Sequence, residues 1–464
     1  MKEVFKYRDY QEKSIEDGIA VLLSNKPKKS ILISPTAGGK SLIIAGIVAK
    51  LDGNVLVIQP SKELLKQNLS KFLATGSKAS VYSASMNSKE IGKVTYATDG
   101  SLKVHAFENS NIKYVIIDEA HLKTQSGSKL IQFINGIGVK NVLGLTATPI
   151  YLKNGADGSQ LKMMNRVKGK LFNEICHVTQ IKELVEKKYW SPLEYKIGDI
   201  DNSLLEYNST GSDFTKESLL VNYEENNTED KIVDFIKGDK NSKSILVFVP
   251  TIEQAEKLAI KIKGSYTVHS LLPTKERDFV VSGFKDLSIR VVINVNVLAV
   301  GFDHPQLDHI ITARPTASIA MYYQQIGRGV RIHPTKDKCR ITDLSGNVKK
   351  FGMVEDLTFE NLNGYGWGLF SKEELLTAVP MWETERPTKA SLTAPKVFIK
   401  EEPTEDVVIW FGKYSGKKVS QVVNSNPQYI SWILTNKEWD WKSSKMAKLK
   451  KSLLSEMRKK FSNS

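Results

Sequence analysis

Cysteine is scarce in this chain, and Cys176 and Cys339 are the only two among its 464 residues. A disulfide framework needs several paired cysteines, and structural zinc sites usually present closely spaced cysteine pairs. The sequence therefore indicates neither kind of stabilisation. Isolated thiols are typical of a reducing compartment, so we expect a cytoplasmic protein.

Long apolar runs are also missing. The longest one extends from Leu42 to Ala49, far short of the ~20 residues that span a bilayer. Met1 to Gln11 carries charges throughout, unlike the apolar centre of a signal peptide. We expect no association with a membrane.

Negative charge is in short supply. The chain has 66 lysines and arginines against 51 aspartates and glutamates, a formal net charge of +15. An excess of this size favours a polyanionic partner, because fixed cations displace counterions condensed on phosphates. A lysine-rich solvated surface is the alternative, and charge alone does not separate the two.

Short apolar runs alternate with helical stretches in two parts of the chain. This pattern is typical of buried parallel sheets between helices. The sequence therefore predicts two α/β lobes whose strand ends face a shared cleft. The runs are Ile31–Ile33, Val55–Ile58, Val115–Ile117 and Val142–Leu145, then Ile245–Val249, Val291–Ile293, His309–Thr312 and Arg340–Thr342.

Four domains follow from this pattern and from composition. The regular alternation fades after Gly352, and a proline-containing charged stretch precedes a tail that holds four of the seven tryptophans. That tail should have a small core of its own. We predict a first lobe over 1–190, a second over 191–355, a linker over 356–405 and a small C-terminal module over 406–464, which could bind DNA.

A glycine-containing turn follows the first apolar run. Its residues Thr36, Ala37, Gly38 and Gly39 precede Lys40 and Ser41. Backbone N–H groups at such a turn, together with the dipole of the helix that it opens, bind phosphate oxygens. Lys40 would reach the β- and γ-phosphates of a nucleotide, and the Ser41 hydroxyl would ligate Mg²⁺. Ser34 stands where the motif has its first glycine.

Two adjacent carboxylates end the third apolar run. Asp118 would hold the Mg²⁺ shell and Glu119 would orient and deprotonate the attacking water. His121 should lie at the junction with the second lobe. An isolated Asp-Glu pair usually marks an exposed helix start, but the four apolar residues before this one and the Ala-His after it argue against that reading.

Arginines downstream supply the positive charge that phosphoryl transfer needs. Arg328 and Arg331 are three residues apart, and we predict that they share one face of a helix. Planar guanidinium groups suit the spread charge of a transferring phosphoryl group. Gly327 and Gly329 weaken a helix, which indicates a close approach of another chain segment.

Together these motifs resemble those of the superfamily 2 helicases of the DExH type over about residues 5 to 345. The resemblance implies two tandem RecA-like parallel-sheet lobes, an α/β fold, with ATP and Mg²⁺ as ligands. Within the superfamily the chain is most similar to phage and bacterial DNA-repair and branch-migration helicases, which implies a bacterial or phage-infected host cytoplasm. The tail around Phe411–Lys417 resembles a small module sometimes attached to nucleases.

The resemblance also assigns roles to single residues. Arg8 and Gln11 match an adenine-reading element, and Gly301 and Asp303 match a segment that borders the nucleotide. Gln324 belongs with Arg328 and Arg331, whereas Thr146 and Thr148, like His121, would couple the nucleotide site to the strand track. The resemblance implies nucleic-acid contacts from Pro60, Ser61, Lys62 and Thr98. Placement just after a strand of the second lobe adds Thr251 to these predicted contacts.

The sequence thus predicts an ATP-dependent DNA helicase or translocase acting on forked or branched DNA, through fork reversal, branch migration or unwinding. The basic tail from Lys442 to Lys460 should contact duplex arms. An RNA helicase of the same superfamily remains an alternative, since both polymers present phosphates. So does a nucleic-acid-binding protein switched by ATP, although such a switch need not keep Glu119, Arg328 and Arg331.

Overall fold

The computed structural model describes residues 6–125, 127–155, 158–298, 302–379, 385–393, 406–435, 441 and 444–462. Two sheets with flanking helices make up most of this part of the chain, as the sequence predicts. Among the described residues, no helix has both the length and the apolar character needed to cross a membrane.

The first sheet has eight strands, and its order is β10-β1-β7-β6-β2-β5-β3-β4. All neighbours are parallel except β3 and β4. Its strands are β1 (Lys29–Ile33), β2 (Asn54–Gln59), β3 (Ser80–Ser83), β4 (Ser88–Lys89), β5 (Val94–Thr98), β6 (Ile112–Ile117), β7 (Asn141–Thr146) and β10 (Glu174–Val178). A separate hairpin, β8 (Ile150–Gly155) and β9 (Gly158–Met163), follows β7 directly.

Helices cover both faces of this sheet because its central strands are apolar on both sides. They are α1 (Asp9–Leu22), α2 (Lys40–Ala49), α3 (Lys62–Ala74), α4 (Val104–Phe107), α5 (Lys129–Gly136) and α6 (Ile181–Glu186). One face packs α1, α2 and α3 around residues such as Ile44, Leu65 and Phe72, all almost fully buried. The four predicted apolar runs of this lobe all lie in its strands.

The second sheet is wholly parallel, and its order is β11-β16-β15-β12-β14-β13. Its strands are β11 (Leu193–Ile197), β12 (Ile245–Phe248), β13 (Ser265–Val268), β14 (Val291–Asn294), β15 (His309–Thr312) and β16 (Cys339–Asp343). The flanking helices are α7 (Lys216–Glu225), α8 (Thr228–Gly238), α9 (Ile252–Lys261), α10 (Thr274–Lys285), α11 (Ile319–Ile326) and α12 (Asn347–Phe351). The chain passes from the first sheet to the second between β10 and β11, around the predicted boundary at residue 190.

The prediction of a linker over 356–405 is wrong for the residues up to Leu375. A three-stranded antiparallel sheet forms there from β17 (Leu357–Leu362), β18 (Gly366–Ser371) and β19 (Glu374–Leu375). It buries Phe370, Leu375 and Val379 as a small core. Alternating apolar residues such as Leu357 and Phe359 were the available signal. A short helix, α13 (Lys389–Thr393), follows, and residues 394–405 lie outside the described part.

The C-terminal module has its own core. It contains α14 (Val419–Ser425), α15 (Pro427–Thr435) and α16 (Ser444–Ser462). Ile409, Val422, Ile433 and Leu453 are almost fully buried there. The separate core agrees with the tryptophan-rich composition that predicted it, and α15 lies against β9 of the first lobe.

Candidate functional site

The predicted nucleotide-binding segments meet at one edge of the first sheet. In parallel strands all carboxyl ends share an edge, and the order β1-β7-β6-β2-β5 fixes the sequence of segments along it. The glycine turn follows β1, and Asp118 follows β6. Thr146 is the last residue of β7, and Thr148 lies just after it. Pro60 follows β2 and Thr98 ends β5, two strands farther along.

The turn after β1 has a conformation suited to binding an anion. Gly39 caps α2 with φ 80°, and Ala37 also adopts a positive φ of 58°. A Cβ on Gly38 would lie 2.8 Å from Ser34 Oγ. The buried Ser34 hydroxyl has no hydrogen-bond partner among the described residues. The bend therefore has room only for glycine at 38, and α2 begins at Lys40 as predicted.

Arg8 and Gln11 lie beside this turn. The Gln11 side-chain amide donates to the Gly38 carbonyl over 3.2 Å, and its oxygen accepts from the Arg8 backbone N–H. The Arg8 guanidinium stacks 3.9 Å from the centre of the Tyr189 ring. The adenine-reading role of these residues stays a prediction, and Tyr189 is a neighbour that the sequence reasoning missed.

Lys40 and the two carboxylates form the charged centre of the site. Lys40 Nζ lies 3.2 Å from Glu119 Oε1, and both side chains are only 13% exposed. Asp118 Oδ1 accepts the backbone N–H of Glu119, and Oδ2 accepts the Asn68 amide over 2.7 Å. Glu119 Oε2 is buried without a hydrogen-bond partner among the described residues. That oxygen is thus available to hold a water molecule.

The protonation of these groups follows from burial and from their neighbours. Burial, followed by the Glu119 charge, raises the pKa of Asp118 to about 6 against the opposing charge of Lys40. Burial alone would raise the pKa of Glu119, but Lys40 and Arg328 together lower it below its usual value. Glu119 is therefore ionised at neutral pH and can act as a base.

Ser41 and Asp118 offer the ligands that Mg²⁺ prefers. Hydroxyl and carboxylate oxygens suit this hard cation, which usually keeps one or two protein ligands and completes its shell with water and phosphate oxygens. Within the described ranges, no group of three or more histidine, cysteine, aspartate or glutamate side chains is arranged so that it could hold a metal ion. The donor set fits a metal that arrives with a nucleotide rather than one held by the protein alone.

His121 joins the two lobes. Its Nδ1 lies 2.8 Å from Thr146 Oγ1 and 3.5 Å from Glu119 Oε2. Its Nε2 lies 3.3 Å from Gln324 Nε2 in the second lobe. Burial lowers the pKa of His121, so the neutral ring accepts from the Gln324 amide at Nε2 and donates at Nδ1.

Thr146 extends this network along β7. Its Oγ1 accepts the backbone N–H of Thr148 over 3.0 Å. The Thr148 hydroxyl is buried and has no partner among the described residues. The residues predicted to couple the two sites are thus in mutual contact.

The prediction that Arg328 and Arg331 lie on one face of a helix is wrong. Helix α11 ends at Ile326, and the arginines lie in the turn beyond it. Glycines at 327 and 329 agree with the early end, because glycine is unfavourable in the interior of a helix. Arg328 is buried and donates to the Phe302 carbonyl over 2.6 Å. Burial and the neighbouring Arg331 lower its pKa to about 9, so it stays a cation at neutral pH.

Arg331 contacts the predicted nucleotide-bordering segment. Its Nε lies 2.6 Å from Asp303 Oδ1, whereas Gly301 lies outside the described residues. Arg331 Nη1 is buried without a partner in the described part of the chain. One donor of this guanidinium therefore has no partner in the described part of the chain.

The second lobe approaches the glycine turn closely. A Cβ on Gly327 would lie 2.8 Å from Thr36 Cγ2, which explains the glycine there. The Thr36 N–H donates to the Tyr323 hydroxyl over 3.2 Å, and its carbonyl accepts from Trp190 Nε1 over 3.1 Å. Sequence reasoning missed Trp190 and Tyr323, because single aromatic residues carry no positional signal outside a motif.

The predicted nucleic-acid contacts are less accessible than expected. Ser61 caps α3 by accepting the Leu64 N–H, and Pro60 and Lys62 are half-buried beside it. Thr98 is buried, with its hydroxyl bonded to Ser83 and Ser101. Thr251 is also buried and caps α9. In this conformation the hydroxyls of Thr98 and Thr251 are used locally, and the role of all five residues in binding nucleic acid stays a prediction.

Three parts of the chain match known sequence families. Residues 4–151 match the family described as type III restriction enzyme, res subunit. Residues 227–333 match the helicase conserved C-terminal domain. Residues 409–438 match the exodeoxyribonuclease X-like C-terminal family, in the tail that the sequence related to a nuclease-associated module.

Curated relatives match the same region. A putative ATP-dependent helicase, IRC3, from Saccharomyces cerevisiae is 26% identical over 372 residues, covering 73% of this chain and 51% of the relative. A 51.5 kDa protein of a Lactococcus phage is 26% identical over 312 residues, covering 65% and 63%. The ATP-dependent DNA helicase RecQ of Pasteurella multocida is 24% identical, covering 71% and 49%. The chain thus spans about half to two-thirds of these relatives.

Solved structures show the same fold. A putative HsdR subunit fragment of a type I restriction enzyme from Vibrio vulnificus aligns with a TM-score of 0.56 and 18% identity, covering 74% of this chain and 65% of that one. The ATP-dependent type ISP restriction-modification enzyme LlaBIII, bound to DNA, aligns with a TM-score of 0.54 and 16% identity, covering 74% and 28%. These two likenesses show the fold alone.

Proposed function

Because this chain belongs to the superfamily 2 helicases, we propose that it hydrolyses ATP to move along DNA and to remodel forked or branched DNA. One observation carries the motor part of the proposal. A continuous path of contacts runs from Lys40 through Glu119 and His121 to Gln324 in the other lobe. A change at the phosphates can therefore alter the contact between the lobes.

In this proposal Lys40 exchanges its partner when ATP binds. Its ammonium now neutralises Glu119 at 3.2 Å, and the β- and γ-phosphates would compete for it. Once Lys40 turns to the phosphates, Glu119 loses the nearest cation that lowers its pKa. The carboxylate then becomes a stronger base, and its unpaired Oε2 accepts a proton from the attacking water.

The remaining groups act on charge that develops at the γ-phosphate. Mg²⁺, held by Ser41 and Asp118, would neutralise phosphate charge when bound. Arg328 and the free donor of Arg331 would meet the transferring phosphoryl group from the second lobe. Because these arginines and Lys40 belong to different lobes, hydrolysis requires the closed arrangement, and release of phosphate relaxes it.

Retention of the whole hydrolytic set favours a motor over an ATP-controlled binding switch. A switch needs nucleotide affinity but has no use for a base beside a buried arginine. Glu119 is largely buried, with 13% of its side chain exposed, and Arg328 is buried; an unneeded charge in such a place would cost stability. Their presence supports catalytic turnover.

DNA as the track is supported by charge and by the relatives. The excess of 15 positive charges suits a polyanion, and RecQ is described as a DNA helicase. Exposed Lys445, Lys448 and Lys451 follow one another at intervals of three along α16, whereas Lys442 lies outside the described residues. We propose that this face contacts a duplex arm.

The proposal is tested with a panel of single-stranded, forked and four-way DNA and matched RNA. We expect ATP hydrolysis to rise with DNA, and forked or four-way substrates to be remodelled only with ATP. Equal or stronger stimulation by RNA would favour the RNA helicase instead. Stimulation by none of the polymers would contradict the motor.

The basic face of α16 is tested by reversing its charge. Lys448→Glu with Lys451→Glu should weaken binding to four-way DNA about tenfold or more at physiological salt, since each lost phosphate contact also removes counterion release. Lys237→Glu with Lys240→Glu, two exposed lysines of the second lobe, is the matched control. Unchanged affinity of the α16 variant would refute this contact.

A further inference from the structure

Helix α3 carries an asparagine in the middle of its buried apolar face. Leu65, Asn68 and Phe72 lie on this face and are almost fully buried. An amide among apolar side chains costs free energy unless its groups are paired. The Asn68 oxygen has no partner among the described residues, so a leucine would serve packing better. The asparagine therefore needs a reason other than stability.

The amide of Asn68 donates to the metal-holding carboxylate. Its Nδ2 lies 2.7 Å from Asp118 Oδ2, and both side chains are buried. Within the described part of the chain, Asn68 is the one side chain that donates a hydrogen bond to Asp118. A carboxylate oxygen that accepts this bond is fixed in direction. Among the described residues, the other oxygen accepts only the Glu119 N–H and keeps a lone pair for the metal shell.

The same helix begins at the proposed DNA track. Ser61 caps α3 by accepting the Leu64 N–H at 3.3 Å, and Lys62 is its first residue. Asn68 lies less than two turns from Lys62, about 9 Å along the axis at 1.5 Å per residue. Hydrogen bonds within the helix make it a rigid rod over so short a distance. A shift of its first turn toward a DNA phosphate would therefore move Asn68 as well.

Helix α3 also packs against β5, so a movement of the helix would displace side chains of that strand. The Phe72 ring lies 5.8 Å from that of Tyr96, centre to centre, and Tyr96 is fully buried in β5. The Tyr96 hydroxyl has no partner in the described residues. Strand β5 ends at Thr98, another predicted track residue. Two track segments thus reach the surroundings of Asp118 through one helix.

We propose that Asn68 is a positioning residue that transmits DNA binding at the start of α3 to the Mg²⁺-holding carboxylate of Asp118. DNA contact at Ser61 and Lys62 would hold α3 in the observed position, in which Asn68 orients Asp118 for the metal–nucleotide complex. This inference rests on the proposed function, because it assumes that DNA binds beside α3. It adds a route from track to metal site that is distinct from the His121–Gln324 path between the lobes.

The test measures how strongly DNA changes nucleotide affinity. A fluorescent, non-hydrolysable ATP analogue with Mg²⁺ is titrated into the full chain with and without saturating single-stranded DNA. The ratio of the two dissociation constants is the coupling factor. Asn68→Leu keeps the side-chain size but removes the hydrogen-bond donor. We expect a coupling factor of about tenfold in the wild-type protein and of less than about twofold in the Asn68→Leu variant.

A matched control separates transmission from general damage. Asn222 of the second lobe is equally buried and donates from its Nδ2 to the Asp201 carbonyl over 2.7 Å. Asn222→Leu should lower the melting temperature yet leave the coupling factor unchanged. If Asn68→Leu does not fold, Asn68→Ser, which is smaller and keeps a hydroxyl donor, takes its place, with a partial loss of coupling expected.

The outcomes are distinguishable. Wild-type coupling in a folded Asn68→Leu protein would overturn the inference, and so would equal weakening of nucleotide binding with and without DNA. If DNA neither stimulates hydrolysis nor changes nucleotide affinity in the wild-type protein, the proposed function fails instead. A melting temperature taken for each variant shows which proteins are folded.

Discussion

Replacing Glu119 by glutamine should separate ATP binding from ATP hydrolysis. Glutamine keeps the size of the side chain and an oxygen that can accept from Lys40, but it removes both the charge and the base. Loss of a general base lowers the rate by about 10²–10⁴-fold. We therefore expect Glu119→Gln to hydrolyse ATP at no more than ~1% of the wild-type rate with saturating DNA.

The same substitution should strengthen nucleotide binding. At the observed Lys40–Glu119 distance of 3.2 Å, Coulomb attraction amounts to about 5 kcal/mol at an effective dielectric constant of 20. Because both ions are desolvated, we expect about 1–3 kcal/mol to remain as a net contribution. ATP must displace Glu119 from Lys40 in the wild-type protein but meets no such competitor in the variant, so its affinity should rise about tenfold.

The assay combines steady-state phosphate release with equilibrium titration of a fluorescent ATP analogue. Glu174→Gln is the control, because Glu174 also pairs with a lysine of the first lobe, Lys28, at 3.3 Å, away from the nucleotide turn. The control should hydrolyse ATP at the wild-type rate. Turnover above ~10% in a Glu119→Gln protein that binds ATP would refute the assignment of Glu119 as the base.

Two further predictions concern the lobe junction and the second lobe. Gly327→Ala would place a Cβ 2.8 Å from Thr36, so kcat should fall about 10–100-fold, because overpacking of about 1–3 kcal/mol opposes closure of the lobes. The control is Gly329→Ala, whose Cβ would collide with side chains inside the second lobe and should instead lower the melting temperature. Equal effects of the two substitutions on kcat would contradict this explanation. Burial, followed by nearby lysines, lowers the pKa of His304 to about 4. The unfolded chain therefore binds more protons than the folded one between about pH 6.5 and 4, and the free energy of unfolding should decrease as the pH is lowered through that window. His304→Gln, which can keep a hydrogen bond to Ser244, should flatten this slope in denaturant titrations, whereas an unchanged slope would show that His304 does not cause it.

Local patterns along the chain were enough to predict the parallel lobes and the position of most nucleotide-site residues. Lys40 opens a helix, Asp118 follows an apolar strand, and Thr146 ends another, as expected from the runs that precede them. These features depend on burial periodicity and on backbone geometry within a few residues. Each is therefore encoded locally.

Other features depend on segments far apart in the chain. The segment Leu357–Leu375 was predicted as a linker but forms a sheet. Local patterns missed it because its short strands become stable only when they pair and pack against the first lobe. The helix expected at Arg328 ends two residues earlier, at Ile326. Gly327 allows the close approach of Thr36, and no local pattern identifies Thr36 as the residue that approaches.

The chemical identities of the reacting groups were thus determined by the sequence, since a lysine, a carboxylate and an arginine carry their charge wherever they lie. Tertiary structure alone decided which of them meet. It joined His121 to Gln324 across 203 residues of chain and brought Asn68 to Asp118. The physical reason is that a hydrogen bond or an ion pair depends on distances of about 3 Å, and such distances between remote residues exist only once both sheets have folded and packed together.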